Sequence, residues 1–230
     1  MELSKRLNFI VEKVEKVIAL ADVGTDHGYI PLYALKNNIC SEAIASDINK
    51  EPLDKARLNA ILEGVGDELE FRLGNGLSVL KENEVQAVII AGMGGNLIRD
   101  ILEADTNIVN ELEYLILQPA QNPEVLREYL YTNDYEIIDE DLCLDDGKYY
   151  ELFKVRRKIG ENTVLDSIYY EISPKLLMEK HPLMKEYINS KLDKYNKILS
   201  LITDETESAT LRKEELLEKI SILSNIVNFL

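Results

Sequence analysis

A chain of 230 residues, 46% hydrophobic and 30% charged, has ordinary globular composition and is long enough for one sizeable domain plus a smaller appendage. No apolar run approaches the length needed to cross a bilayer, and the N-terminal stretch spreads its charges at helical spacing, so neither a membrane span nor a signal peptide is expected. A formal charge of −16, from 26 basic and 42 acidic residues, disfavours polyanion binding except through a local basic face, and the two cysteines, Cys40 and Cys143, fit buried free thiols in a reducing cytoplasm.

Leu3–Lys16 places Leu7, Ile10, Val11 and Val14 at three- and four-residue steps and predicts an amphipathic helix. Strands and helices then alternate. Strands are expected at Val17–Val23, Glu42–Ile48, Glu68–Gly76, Val85–Gly95 and Tyr114–Pro119. Helices are expected at Gly28–Lys36, Pro52–Glu63, after Gly95 through Leu102, and near Pro123–Tyr131. Tyr135–Leu144 and Tyr149–Arg157 flank "DDGK", whose Asp-Gly pair predicts a hairpin. The order implies an α/β fold: a doubly wound, mostly parallel sheet with an antiparallel edge over residues 1–160. Over residues 161–230 the pattern changes. Ile188, Leu192, Tyr195, Leu199 and Ile202 form one heptad series, and Leu216, Ile220, Leu223, Val227 and Leu230 form a second. Together they predict an antiparallel helical hairpin of coiled-coil character.

Four turns could build one pocket, because ligands of such sheets bind beyond the carboxyl ends of the strands. The first is "DVGTDHG", with Asp22 ending the first strand and Gly24 permitting a sharp bend. A dinucleotide loop carries glycines that admit a pyrophosphate; here Asp22 and Asp26 would repel one and favour a cationic or zwitterionic group. Asp26 could equally cap the following helix. Asp47, followed by Ile48 and about twenty residues beyond the first turn, suits the hydroxyl pair of a ribose. Asn75, between Gly74 and Gly76, could meet an adenine edge or simply turn the chain. The run Ala91, Gly92, Met93 with two further glycines suggests a group held close to the backbone, although Met93 could also be core. An acidic first turn, a ribose acid and no phosphate cradle favour S-adenosyl-L-methionine over a dinucleotide or ATP. No metal is expected.

"SKRL", "ADVGTDHGYIP", "AGMGG", "LILQP" and "DDGKYYE", in this order over Leu3 to Arg157, resemble the bacterial tRNA (adenine-N1)-methyltransferases that modify adenine 22 in the D-arm. The resemblance implies a class I methyltransferase (Rossmann-like) sheet with a C-terminal coiled-coil domain. It also implies that Gly24, Asp26 and His27 hold the methionine end of the cofactor, Asp47 the ribose, Asn75 the adenine, and Gly92 with Met93 the methyl-bearing side. Arg6 would reach the cofactor carboxylate or the RNA. The family's usual Gly-Asp-Gly is Gly-Asn-Gly here, which weakens the expected pairing with the adenine amino group.

Methylation of N1 needs no strong base before attack, but the product ring stays cationic until its amino nitrogen loses a proton; Asp26 and Gln118 are the candidates to contact the base or reaction centre. N1 lies on the pairing edge, so the target must be unpaired or flipped. For tRNA phosphates the candidates are Lys154, Arg156 and Arg157 in "KVRRK". Nine basic and twelve acidic residues follow residue 160, leaving seventeen and thirty before it. The appendage at −3 is therefore less repulsive to RNA than the sheet domain at −13, and its Lys185, Lys191 and Lys194 are expected to help grip tRNA. A methyltransferase acting on a small molecule is the alternative enzyme, and a helical docking module the alternative outside enzymology.

Overall fold

The computed structural model describes residues 2–160 and 162–230. The chain divides into two compact units, Met1–Val164 and Leu165–Leu230. The division falls a few residues past the boundary drawn from composition because residues 162 and 163 pack back onto the first unit. The Asp134 N–H donates to Asn162 Oδ1 at 2.7 Å and the Thr163 N–H to the Tyr131 carbonyl at 2.8 Å.

In the first unit a short helix, α1 (Lys5–Val11), precedes β1 (Ala19–Val23), α2 (Tyr29–Lys36), β2 (Glu42–Asp47), α3 (Lys50–Glu63) and β3 (Leu69–Leu73). A single 3₁₀ turn at Gly76–Val79 leads to β4 (Ala87–Gly94), α4 (Gly95–Ala104), α5 (Thr106–Asn110), β5 (Tyr114–Gln121) and α6 (Pro123–Thr132). The hairpin of β6 (Tyr135–Asp145) and β7 (Lys148–Arg157) completes it. The seven strands lie in the order β3-β2-β1-β4-β5-β7-β6, with β1 to β5 parallel and β7 antiparallel to both neighbours. Strand order reverses between β1 and β4, which opens a crevice at their carboxyl ends.

The parallel strands are buried on both faces because helices cover both. Val88 and Ile90 of β4 point into a core shared with α4 and α6, while Ala87 and Ile89 point into the opposite core with α1 and α2. The hairpin turns on Asp146 and Gly147, both in the left-handed region (φ 47° and 71°), as a two-residue turn of this type requires.

The N-terminal periodicity overextends the first helix. Ser4 caps α1, its Oγ accepting from the Leu7 N–H at 3.2 Å, but the helix stops at Val11. Tertiary contacts draw the following residues out of it. Lys13 pairs with Asp139 at 2.9 Å and Asp141 at 2.7 Å. The Tyr114 hydroxyl donates to the Glu15 carbonyl and accepts from the Glu15 N–H, at 2.8 and 3.0 Å. Lys154 donates to the Lys13 carbonyl and pairs with the Glu15 carboxylate. These clamps hold residues 12–18 as a strap against β5, β6 and β7.

A second ionic cluster lies inside the unit. Arg127 of α6 is fully buried and pairs with Glu140 of β6 at 2.9 Å and with Glu151 of β7, its guanidinium lying 4.8 Å from the Phe153 ring centroid. It ties the helix after β5 to the hairpin.

In the second unit, α7 (Ile168–Glu171) and α8 (Pro174–Met178), which the heptads did not announce, precede α9 (Met184–Leu201) and α10 (Glu207–Phe229). The last two pack as a helical hairpin, burying Met184, Tyr187 and Ile188 of α9 with Leu216 and Leu223 of α10. Glu171 of α7 is buried between them, receiving Lys219 and the Tyr195 hydroxyl. No helix among the described residues is long and apolar enough to cross a membrane.

Removing Arg127 leaves two carboxylates in the interior without their guanidinium. Arg127→Ala is expected to lower the unfolding free energy by about 3–5 kcal/mol, read as a fall in the urea midpoint.

Candidate active site

The turn after β1 is held by β2. The Gly24 and Thr25 N–H groups both donate to the Ser46 carbonyl, at 2.9 and 2.8 Å. Gly24 has φ +78°, which a β-carbon would strain, and an added β-carbon would stand 2.0 Å from the Met93 methyl. Met93 of β4 therefore lies directly over the backbone of the first turn, locking the two sides of the switch point together. Asp26 is exposed and does not cap α2, whose N-cap is Gly28 without a side-chain bond. The cap alternative for Asp26 is thereby excluded. His27 is left-handed (φ 62°), places Nε2 3.2 Å from Asp26 Oδ1 and stacks on Tyr29 with centroids 5.4 Å apart. Asn59 of α3 holds this conformation by donating to the His27 carbonyl at 2.9 Å.

At the end of β2, Asp47 Oδ1 accepts the Asn49 N–H at 2.7 Å, and its carbonyl accepts the Gly74 N–H at 3.0 Å, so the turn after β3 is fastened beside it. Ile48 and Leu73 are 64% and 62% exposed there, two apolar side chains on one rim. Asn75 is exposed, and its carbonyl accepts from Ser78 Oγ at 2.6 Å.

At the end of β4, Gly92 has φ +79°, and a β-carbon there would lie 3.2 Å from Nη1 of Arg6. Arg6 comes from α1. Its backbone N–H donates to Asp145 Oδ2 at 2.9 Å, its Nη1 donates to Gln118 Oε1 at 2.9 Å, and its guanidinium lies 5.7 Å from the Tyr150 ring centroid. Gln118, fully buried at the end of β5, also donates Nε2 to the Pro119 carbonyl at 2.8 Å.

The mouth is electrically divided. Asp22, Asp26 and Asp47 occupy the β1–β2 side. Burial pushes the Asp22 carboxyl up to about 6, with the charges of Asp26 and Asp47 adding to the effect. Arg6 stands on the β4–β5 side. Glycine-bearing strand ends with carboxylates on one side and a guanidinium on the other suit a zwitterionic nucleoside without phosphates.

The chain matches the family model TrmK, tRNA (adenine(22)-N(1))-methyltransferase, over residues 20–225. The chain belongs to this tRNA methyltransferase family. It is similar to the tRNA (adenine(22)-N(1))-methyltransferase of Bacillus subtilis, with 34% identity over 99% of this chain and 98% of the relative. The crystal structure of the B. subtilis M1A22 tRNA methyltransferase TrmK is 33% identical, with a TM-score of 0.87 over 98% of this chain and 99% of that one. Streptococcus pneumoniae Sp1610, described as a putative tRNA (m1A22) methyltransferase in complex with S-adenosyl-L-methionine, is 28% identical, with a TM-score of 0.86 over 98% and 100%.

Within this member of the tRNA (adenine(22)-N(1))-methyltransferase family, Arg6, Asp22, Gly24, Asp26, His27, Asp47, Ile48, Gly74, Asn75, Gly76, Ala91, Gly92 and Met93 all lie at or beside the carboxyl ends of β1 to β4, Arg6 being carried there by α1. Gln118 has a different part from that expected. It is fully buried, its Oε1 accepting from Arg6 and its Nε2 donating to the Pro119 carbonyl, which places it to orient Arg6. The basic cluster also departs from expectation. Lys154 is buried on Glu15, Lys13 and the Tyr114 ring, and so presents no charge to a phosphate. Arg156 pairs with Glu136, and Arg157 donates to Asn110 and the Asn133 carbonyl. Lys185 and Lys194 are exposed on α9, and Lys191 lies over the Tyr187 ring at 4.9 Å. Asn59, Tyr29 and Tyr150 support the site without having been singled out in sequence, since each acts through a residue distant in the chain or through a ring contact.

The raised Asp22 carboxyl has a stability consequence. The folded state holds this proton more tightly than the unfolded chain, so the ionised group opposes folding above about pH 6 and ceases to do so below about pH 4. Asp22→Asn is expected to stabilise the protein by about 2–3 kcal/mol at pH 8, with the gain vanishing by about pH 4, as measured by denaturation across that range.

Proposed function

We infer that the chain transfers a methyl group from S-adenosyl-L-methionine to N1 of adenine 22 in tRNA. Membership of the family supports the reaction. The observation in this chain that carries the cofactor is the first turn, where acids and the Gly24–Met93 interlock occupy the place of a phosphate cradle. The S-adenosyl-L-methionine complex of the pneumococcal structure agrees with that choice.

In this reading Gly24, Asp26 and His27 hold the amino-acid end of the cofactor, with Arg6 facing its carboxylate side. Asp47 binds the ribose hydroxyls. Ile48 and Leu73 form apolar walls beside Asn75 for the adenine, and Gly92 and Met93 border the reacting methyl. The cofactor supplies an electrophilic methyl group on a sulfonium. The chain's own contribution is alignment: rigid turns at the switch point fix the reacting groups in line, which can supply much of the rate. Asp26, open to solvent and adjacent to His27, adds negative potential at the mouth that favours the cationic cofactor and the cationic product ring. Gln118 contributes by holding Arg6. Lys185, Lys191 and Lys194 of the helical unit extend the contact to the tRNA body.

Incubation with unmodified tRNA and the cofactor, followed by mass spectrometric mapping, is expected to locate one new methyl group at N1 of adenine 22; a methyl elsewhere, or none, would refute the assignment. Asn75→Asp replaces a neutral acceptor by a charged one on the adenine edge and is expected to tighten S-adenosylhomocysteine binding by several-fold, or about 1 kcal/mol, in calorimetry.

A further inference from the structure

We propose that Lys5 and Lys148, on the rim beside Arg6, bind the RNA phosphates flanking the target adenosine. The proposal rests on the reading of the chain as a tRNA methyltransferase and names a surface that its basic "KVRRK" run does not supply.

Much of the first unit's positive charge is already engaged, and Arg57, exposed on α3, lies over the Phe71 ring. Lys36, Lys50, Lys55, Arg72, Arg99 and Arg127 each face a carboxylate, and Lys154 is buried on Glu15. Lys5 and Lys148 are both exposed and, among the described residues, make no ion pair. Two contacts bring them to the mouth. Lys5 opens α1 next to Arg6, whose N–H is bonded to Asp145 and whose guanidinium reaches Gln118 at the end of β5. Asp145 in turn is the backbone register partner of Lys148 across the hairpin. Both lysines therefore stand at the carboxyl-terminal face of the sheet, on the side opposite Asp22, Asp26 and Asp47.

That arrangement sets the direction of approach. A polyanion entering over β1 and β2 would meet three carboxylates in a unit whose sequence charge is strongly negative. Over the hairpin, Lys5, Arg6 and Lys148 offset Glu2, Asp145 and Asp146, leaving the rim near neutrality. The Asp145 carboxylate already accepts the Arg6 N–H, and the long lysine stems carry their charge further into solvent than aspartates can. A base extruded into the crevice over Gly92 would leave its flanking phosphates on this rim, where two ammonium groups can displace their counterions.

The test compares tRNA binding by the full chain, K5A/K148A and a control, K16A/K158A, which removes the same charge beside the opposite ends of the strands. For K5A/K148A the expected result is a loss of tRNA affinity on the order of tenfold and a salt dependence shallower by about one to two counterions. S-adenosylhomocysteine affinity should be unchanged and the control should bind tRNA normally. Unchanged tRNA affinity and salt slope in K5A/K148A, with the parent chain still methylating tRNA, would overturn the surface and leave the function standing. Equal losses in both double variants would reduce the effect to bulk charge and overturn it too, as would a loss of S-adenosylhomocysteine binding. A parent chain that neither binds nor methylates tRNA would overturn the functional reading and this surface with it.

Discussion

A carboxylate held almost out of water at the end of the central strand governs the rest of this site. Asp22 is buried beneath the first turn, flanked by the charges of Asp26 and Asp47, and its ionised form is disfavoured accordingly. Such a group is tolerated where a cationic ligand can relieve it, and it makes the same crevice hostile to a pyrophosphate. The glycines do the complementary work. Because Gly24 lacks a side chain, the Met93 methyl can lie against its backbone at the switch point. Charge selects the class of ligand, and close backbone approach sets its shape.

The other half of the mouth is assembled from parts remote in sequence. Arg6 is carried by α1, anchored through its amide on Asp145 of the hairpin and through its side chain on Gln118 of β5. The strap that follows is fastened by Lys13, Glu15, Tyr114 and Lys154, so charged residues that look solvent-directed in sequence serve as internal fixings. This accounts for Lys154 of "KVRRK": β7 runs antiparallel to β5, and the buried ammonium is satisfied by the Lys13 carbonyl, the Glu15 carboxylate and the Tyr114 ring. The cluster of Arg127 with Glu140 and Glu151 plays a similar part on the other side, joining the helix after Gln118 to the hairpin that bears Asp145.

Helical and sheet units use buried polarity differently. In the second unit Glu171, held by Lys219 and Tyr195, sits where an otherwise apolar seam could slip, and a single satisfied polar group in such a seam can fix its register. The heptads of α9 and α10 carried no sign of that group, since Glu171 belongs to α7, a helix too short to leave a periodic trace.

The succession of strands and helices, the hairpin at Asp146 and Gly147, and the turns that end the first four strands were legible in the sequence because each depends on local rules: hydrophobic period, glycine at strained positions, and acids at strand ends. The amphipathic N-terminal pattern was legible too, but its length was not. Periodicity cannot register that Lys13 and Glu15 have partners more than a hundred residues away. Likewise, the hold of Gln118 on Arg6 is invisible in sequence, and Asp26 reads as a possible cap until α2 is seen to begin without one. The sequence by itself determined the fold class and the kind of ligand the crevice admits, since both follow from residue type and spacing along single elements. Only the tertiary structure decided which charges remain available, because pairing is a property of space, and in this acidic chain cations such as Arg72, Arg127 and Lys154 are claimed by carboxylates before any partner arrives.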